Sequence, residues 1–114
     1  MKSSYEGIGQ WAATFACSDV SAGQVVKISD NGAVSACADG DSFCGVAVSV
    51  GRDGTACAVV LGGMVTAEYS GAVPALGWAG LAADAEGGVK ASESGRTYLV
   101  VDVNTVAKTV TLAM

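Results

Sequence analysis

Few side chains in this sequence have the types and spacing that catalysis needs. The chain contains no histidine, which removes the most common general base together with every Ser-His and Cys-His pair. Five of the seven aspartates lie in short Gly-, Ser- and Asn-containing segments typical of turns, where a carboxylate binds backbone N–H groups. These aspartates are Asp30, Asp39, Asp41, Asp53 and Asp84. We expect no catalytic residues, and predict that the protein is not an enzyme.

The motifs that could bind a metal or cofactor are incomplete. Asp39 and Asp41 in "DGD" could supply two calcium ligands, but the distal glutamate of a calcium-binding loop is missing. Gly62–Gly63 and Gly87–Gly88 lack the GK[ST] of a phosphate-binding loop. Lys108 resembles the hairpin lysine of lipoyl and biotinyl carrier domains, without the residues that flank it there. We expect no metal site and no cofactor.

The four cysteines could form a zinc site or a disulfide framework. Cys17, Cys37, Cys44 and Cys57 include no Cys-x-x-Cys, so a zinc site is not expected. We predict reduced thiols that serve as small core side chains. A disulfide between Cys17 and Cys37 is left open.

Large apolar side chains concentrate near the N-terminus. Residues 1–22 are predicted to form an arm or lid, in which "GIGQWAATF" could make a helical turn. The segment could close one end of a barrel, or it could dock on a neighbouring molecule, because aromatic anchors carry much of the energy of an interface. The candidate partner-interface residues are Tyr5, Ile8, Trp11 and Phe15.

The charge of the chain argues against a nucleic-acid partner, and the lack of a long apolar run argues against a membrane. The formal net charge is −5, and the six Lys and Arg residues are scattered along the sequence, whereas nucleic-acid binding needs a basic patch. No run of apolar residues approaches the roughly 20 that span a bilayer. The first residues also lack the apolar region of a signal peptide, so synthesis in a cytoplasm is expected.

The sequence contains an internal similarity. Residues 23–36 resemble residues 77–91, with a Gly, then an Asp, a turn and Val-x-Ala in each, and residues 46–61 align with residues 99–114 without a gap. We interpret 23–61 and 77–114 as two copies of one β unit.

Turn signals such as Asn31–Gly32 divide each copy into short strands. We predict an all-β fold, a small barrel or sandwich made of two repeated four-stranded units within a single domain, 23–114. The predicted strands are 24–29, 33–37, 43–50, 56–61, 77–83, 88–92, 97–103 and 109–114, with a connecting strand in "MVTAEY".

The strict alternation of "GVAVSVGRDGTACAVVLGGMV" predicts which residues share a face of the sheet. One face is predicted to form the core, so Val48→Asp should unfold the domain. The opposite face is small and smooth. The predicted core face contains Cys44, Val46, Val48, Cys57, Val59 and Leu61, and the opposite face contains Gly45, Ala47, Ser49, Ala56, Ala58 and Val60.

The order of these elements resembles the small capsid decoration, or cement, proteins of tailed bacteriophages. "AGQVVKISDNGAVSACADGDSFCGVAVSV" is similar to the family's Gly-x-x-Val, turn and Gly-Val-Ala strand. "GTACAVVLGGMVTAEYSGAVPALGWAGLAAD" is similar to its Val-rich strand, extended segment and second Gly-led strand ending in Asp. The similarity runs from about residue 20 to residue 114.

The resemblance implies a non-enzymatic structural protein of the virion that stabilises an assembled phage head. It would bind the major capsid protein from outside after synthesis in the host cytoplasm, with self-association as a trimer and an N-terminal arm, here Tyr5–Phe15, that contacts the shell. Two other classes stay open. One is another virion or surface module, such as a head-fibre base, tail component or adhesin-like domain; the other is a small-molecule barrel or enzyme, which needs a pocket with convergent polar groups.

Overall fold

The computed structural model describes residues 10–114, and within this range the chain is all-β and contains no helix. Nine strands coincide with the predicted ones to within two residues. The first strand was not predicted. The strands are β1 (Trp11–Cys17), β2 (Val25–Asp30), β3 (Ala33–Ala36), β4 (Gly45–Val50), β5 (Ala56–Gly62), β6 (Met64–Glu68), β7 (Gly77–Ala83), β8 (Val89–Ala91), β9 (Arg96–Asn104) and β10 (Thr109–Ala113).

The first five strands form a closed barrel in the order β1-β3-β2-β4-β5. Strand β1 completes it by pairing antiparallel with β5 on one side and parallel with β3 on the other, where Ala16 lies opposite Ala33 and Cys17 opposite Val34. The predicted barrel is therefore confirmed for this half of the chain.

The last five strands form a second sheet in the order β6-β10-β9-β7-β8. All of its strand pairs are antiparallel. One further parallel bridge joins Tyr69, directly after β6, to Val89 in β8. Each sheet thus contains five strands, whereas the sequence predicted units of four.

In the second sheet the fifth strand is β6, the predicted connecting strand, and in the barrel it is β1, within the predicted arm 1–22. The helical turn considered for residues 7–15 is not formed in its described part, because "WAATFAC" has the two-residue period of a strand: Ala13, Phe15 and Cys17 are half-buried, while Ala12, Thr14 and Ala16 are exposed. Half-buried and exposed side chains thus alternate along β1, as expected for a strand in the wall of a barrel.

Two clusters of buried side chains stabilise the molecule. The barrel core consists of Val20, Val26, Val34, Ala47, Cys57 and Val59. The second core, which takes residues from both sheets, contains Val25, Cys37, Phe43, Val46, Val60, Val65, Ala67, Tyr69, Leu81, Ala83, Val89, Tyr98, Val100, Val110 and Leu112. Because barrel strands contribute to the second core, the two sheets pack as one unit.

Polar contacts add to this packing between the sheets. The Gly40 N–H donates to the Ala83 carbonyl (2.8 Å), and the Ala83 N–H donates to the Asp41 carbonyl (2.9 Å). The Tyr98 ring stacks on Phe43 with 5.0 Å between ring centroids, and its hydroxyl donates to the Phe43 carbonyl (3.3 Å). The loop that contains "DGD" is therefore a structural connection between the sheets.

The predicted faces of β4 and β5 are wrong in their register. Val46 lies opposite Val60 and Val50 opposite Cys57, with a bulge between Ala47 and Ser49. A shift of one residue exchanges the two faces of a strand. Val46 therefore packs in the second core while Val59 packs in the barrel core, and the two were predicted to share a face.

Val48 shows the consequence most clearly. It lies at the bulge and is 52% exposed, so its predicted place in the core is wrong. Ala47 and Val60, which were predicted to share the smooth face, are both buried and lie on opposite faces, Ala47 in the barrel core and Val60 in the second core. Both faces of this hairpin are covered, one by the barrel interior and the other by the second sheet.

Candidate interaction surface

The predicted interface residues divide between three environments. Tyr5 and Ile8 lie outside the described residues. Phe15 is half-buried in β1, opposite Cys57, and packs against the barrel core. Trp11, at the beginning of the same strand, is 60% exposed. Of the two described candidates, Trp11 presents its side chain to solvent and Phe15 contributes to the core.

Glycine 62 explains how Trp11 is held at the surface. Trp11 lies opposite Gly62 on β5, and a Cβ at Gly62 would overlap the Trp11 indole. The ring therefore lies against bare backbone. The preceding residue, Gln10, donates a side-chain hydrogen bond to the Met64 carbonyl at the beginning of β6. The start of the described chain is thus fixed between the barrel and the second sheet.

A second exposed tryptophan was missed by the sequence analysis. Trp78 in β7 is 74% exposed and lies opposite Leu99 of β9. The sequence shows only that Trp78 and Leu81 are three residues apart, and an odd separation in a strand places two side chains on opposite faces. The structure shows that Leu81 is the buried one. Trp78 therefore points away from the second core.

Trp78 stands at one end of an apolar row on the outer face of the second sheet. Met64 lies opposite Ala113, Ala113 opposite Leu99, and Leu99 opposite Trp78. Directly opposed residues in antiparallel strands point to the same face. We call these four residues the outer row; its first three members are half-buried and its last is exposed.

An open groove continues the outer row beyond Trp78. Its volume is about 370 Å³, and its lining includes Val73, Ala75, Trp78, Ala91 and Glu93. Val73 is 56% exposed. Together, the row and the groove form an apolar surface that crosses β6, β10, β9 and β7 and reaches Ala91 in β8.

The thiols and carboxylates of the described residues form neither a reactive thiol site nor a metal site. All four cysteines are free thiols, and burial raises the pKa of Cys37 and of Cys57 to about 11, so both are protonated and weakly nucleophilic at neutral pH. Between residues 10 and 114, no three Cys, Asp or Glu side chains are grouped in a way that could hold a metal ion.

The carboxylates of "DGD" bind lysines. Asp41 accepts from the Lys27 ammonium (2.6 Å) and Asp39 from the Lys90 ammonium (2.8 Å). The hydrogen bond from Lys27 lowers the pKa of the Asp41 carboxyl below its ordinary value, and the same contact raises the pKa of Lys27.

Polar groups line a separate cleft between the two sheets. Its volume is about 320 Å³, and its lining includes Gln24, Thr66, Glu68, Glu86 and Thr109. A small-molecule function, the third class considered from the sequence, would have to be sought here.

The fold and surface define an all-β protein in which a closed five-stranded barrel packs on a five-stranded antiparallel sheet and a tryptophan is exposed on each half. No protein-family model matches the chain, and no curated protein is similar to it. In the part of the chain that the structure describes, no helix is long and apolar enough to cross a membrane.

Proposed function

We propose that this protein is a non-enzymatic decoration protein that binds the outer surface of an assembled phage capsid and stabilises it. The proposal rests on the resemblance of residues 20–114 to the cement proteins of tailed phages, together with the exposed aromatic residues on an all-β scaffold. A ligand that binds the assembled shell and not its separated subunits stabilises the shell by mass action. The partner is the major capsid protein, and trimerisation on the shell is part of the proposal.

The exposure of both tryptophans is the observation that supports this function best. The chain contains two Trp residues, and both present most of their surface to solvent, Trp11 at 60% and Trp78 at 74%. Tryptophan is enriched among the residues that carry binding energy in interfaces. A chain that exposes both of its largest side chains presents anchors for a protein partner.

We further propose that the two sheets derive from one duplicated unit. The observation that supports this is the shared strand order: β3-β2-β4-β5-β1 in the barrel corresponds element by element to β8-β7-β9-β10-β6 in the second sheet. The parallel closure of β1 on β3 has its counterpart in the bridge from Tyr69 to Val89. The unit would then contain five strands and begin with β1 or β6.

Binding to undecorated heads tests the function. The purified protein is titrated onto undecorated heads of the phage that encodes it, and binding is measured by co-sedimentation and by the temperature at which the heads break. Trp11→Ala is expected to stay folded and to weaken binding at least tenfold, because it removes an aromatic anchor. Val106→Ala is the matched control, since Val106 is 95% exposed on the β9–β10 turn.

The outcomes separate this function from the alternative. Saturable binding that raises the breaking temperature of the heads supports decoration. A protein that ignores heads but assembles with itself, or binds glycans, is the other kind of virion or surface module and overturns the proposal. The molecular mass on and off the shell, measured by light scattering, tests trimerisation.

A further inference from the structure

The chain contains two asparagines, and both lie at hairpin turns, Asn31 between β2 and β3 and Asn104 at the end of β9. The Asn104 side-chain oxygen accepts from the Val106 (3.0 Å) and Ala107 (2.9 Å) N–H groups. Asn31 is exposed, and its backbone N–H donates to the Asp30 carboxylate (2.7 Å). Within the described part of the chain, its side-chain amide makes no hydrogen bond. The Asn104 side chain is therefore held in place, whereas that of Asn31 can rotate.

The residue that follows each asparagine decides whether its side-chain amide can be attacked. The attacking group is the backbone nitrogen of that next residue, which closes a five-membered ring on the amide carbon, and a side chain beside it hinders the approach. Gly32 follows Asn31 and has no side chain, and a Cβ placed there would meet no atom within 4 Å. Thr105 follows Asn104 and has a branched side chain. Ring closure is therefore favoured at Asn31 and hindered at Asn104.

Two other turns have an acidic residue before a glycine, Asp39–Gly40 and Asp53–Gly54. Asp39 binds the Lys90 ammonium (2.8 Å), and Asp53 accepts from the Thr55 N–H (3.1 Å). The hydrogen bond from Thr55 lowers the pKa of the Asp53 carboxyl below its ordinary value. An ionised carboxylate is a much poorer target for a nucleophile than a neutral amide, so Asn31 is the most reactive of these sites.

We propose that Asn31 is a site of spontaneous deamidation, and that its isoaspartyl product weakens the contact that closes the barrel. The Gly32 nitrogen bonds to the Asn31 side-chain carbonyl carbon, and the bond from that carbon to the amide nitrogen breaks. The amide nitrogen leaves as ammonia with the proton of the Gly32 N–H. Water then opens the resulting succinimide ring at either carbonyl, to give aspartate or isoaspartate. The reaction needs no oxidant or reductant, and a carboxylate replaces a neutral amide.

The isoaspartyl product lengthens the main chain at the turn, because the peptide then runs through the side-chain carbons of residue 31. The Gly32 carbonyl accepts from the Ala16 N–H of β1 (3.0 Å). Directly beyond it, Ala16 lies opposite Ala33 and Cys17 opposite Val34, the two positions at which β1 pairs with β3. A longer turn moves the Gly32 carbonyl away from Ala16, so the closure of the barrel is weakened at this end. The inference concerns the isolated chain and does not depend on capsid binding.

Peptide mapping of the aged protein tests the site. The full chain is incubated at mildly alkaline pH, and the peptides that contain Asn31 and Asn104 are followed by mass spectrometry, with isoaspartate identified by enzymatic methylation. Asn31 is expected to lose its amide about tenfold faster than Asn104, or more. Asn31→Gln is the matched control, because its longer side chain would have to close a six-membered ring, and it should keep its amide.

Two results of the mapping would overturn the proposal. One is an equal rate at Asn31 and Asn104 in the native protein. The other is a reaction at Asn31 that occurs in urea but not in the folded chain, which would mean that the folded turn prevents the ring from closing.

Hydrogen exchange at Ala16 tests the effect on the barrel. The isoaspartyl form is purified by anion exchange, and amide exchange is measured by NMR. The Ala16 N–H is expected to exchange about tenfold faster than in the native chain, while amides of the second sheet keep their native rates. Asn31→Asp is the control, since it has the same charge on a main chain of ordinary length and should exchange at the native rate. Native exchange at Ala16 in the isoaspartyl form, or equal acceleration in Asn31→Asp, overturns the proposal.

Discussion

The closed barrel and the second sheet share a strand order but differ in what fills them. The barrel core consists of Val, Ala and Cys side chains, with Phe15 half-buried beside it. The second core contains Leu81, Leu112 and Tyr98 and also takes residues from the barrel strands. Larger buried side chains remove more apolar area from water, so the second core contributes more to stability.

The two sheets also differ in how they close. In the barrel, β1 pairs with β3 at two consecutive positions, Ala16 with Ala33 and Cys17 with Val34, whereas in the second sheet a single bridge reaches from Tyr69 to β8. The buried side chains inside the closed barrel are small ones, Val, Ala and Cys. A sheet that remains more open needs another layer over its inner face, and the barrel provides that layer.

The largest effect is expected where a barrel strand enters the second core. Val46→Asp should abolish cooperative folding, at a cost of about 4 kcal/mol or more, because it buries a carboxylate without a partner. Val46 is 3% exposed in the second core. Urea unfolding followed by circular dichroism measures the loss.

The matched variant is Val48→Asp, two residues further along β4. Val48 is 52% exposed at the bulge, so this charge stays in water and should cost no more than about 1 kcal/mol. Equal damage from both substitutions would contradict the observed register and restore the register predicted from the sequence.

The next effect compares the two cores at equal side-chain size. Val110 in the second core and Val59 in the barrel core are both fully buried. We expect Val110→Ala to cost about 2 kcal/mol and Val59→Ala less, because a cavity in the shared core loosens both sheets. Leu112→Ala should cost about 3 kcal/mol. A larger loss at Val59 than at Val110, measured by urea unfolding, would reverse the comparison.

Local patterns predicted nine of the ten described strands but not their registers. Asn31–Gly32 has the residues of a tight turn, and Gly32 has the positive φ, 66°, that such a turn requires. The bulge at Val48 has no comparable signal, because Val46, Val48 and Val50 alternate regularly in the sequence. Which core each strand faces depends on contacts between residues far apart in the chain, and these do not follow from alternation.

The candidate surface was predictable only in part. Trp11 was recognised because large residues cluster around it, and its exposure depends on Gly62, about fifty residues away. Phe15 has the same composition signal, but β1 turns it toward the barrel core. Trp78 was missed because a lone aromatic in a predicted strand is most simply placed in the core, and its face is fixed by the burial of Leu81.

A smaller effect compares two aspartates that the internal similarity aligns. Asp84 is 6% exposed and accepts from the Ser70 hydroxyl (2.8 Å) and from the Glu86 (2.8 Å) and Gly88 (2.9 Å) N–H groups. Asp30 is exposed and accepts from one backbone N–H (2.7 Å). Asp84→Ala should therefore cost about 2 kcal/mol and Asp30→Ala about 0.5 kcal/mol or less. Similar losses in thermal unfolding would mean that the two turns are equivalent.

The last prediction concerns the loss of stability at high pH that the buried thiol of the barrel core should cause. Cys57 aligns with Val110 of the second core, and burial raises the pKa of the Cys57 thiol from about 9 to about 11. Above pH 9 the thiol ionises in the unfolded chain first, so its contribution is complete below that pH and is lost as the pH rises toward 11. The free energy of unfolding should therefore fall over this pH range through the ionisation of this group.

Cys57→Val separates this thiol from the other groups that titrate in the same range. Burial also raises the pKa of Cys37 and Tyr98, and the contact with Asp41 raises that of Lys27, so the native protein should lose stability above pH 9 by several routes. Urea midpoints are measured at pH 7 and at pH 10.5 for the native chain and for Cys57→Val. The difference between the two proteins gives the contribution of the Cys57 thiol. Because valine does not ionise, Cys57→Val should lose less stability than the native chain between pH 7 and pH 10.5. An equal loss in the two proteins would show that the Cys57 thiol ionises as readily in the barrel as in the unfolded chain.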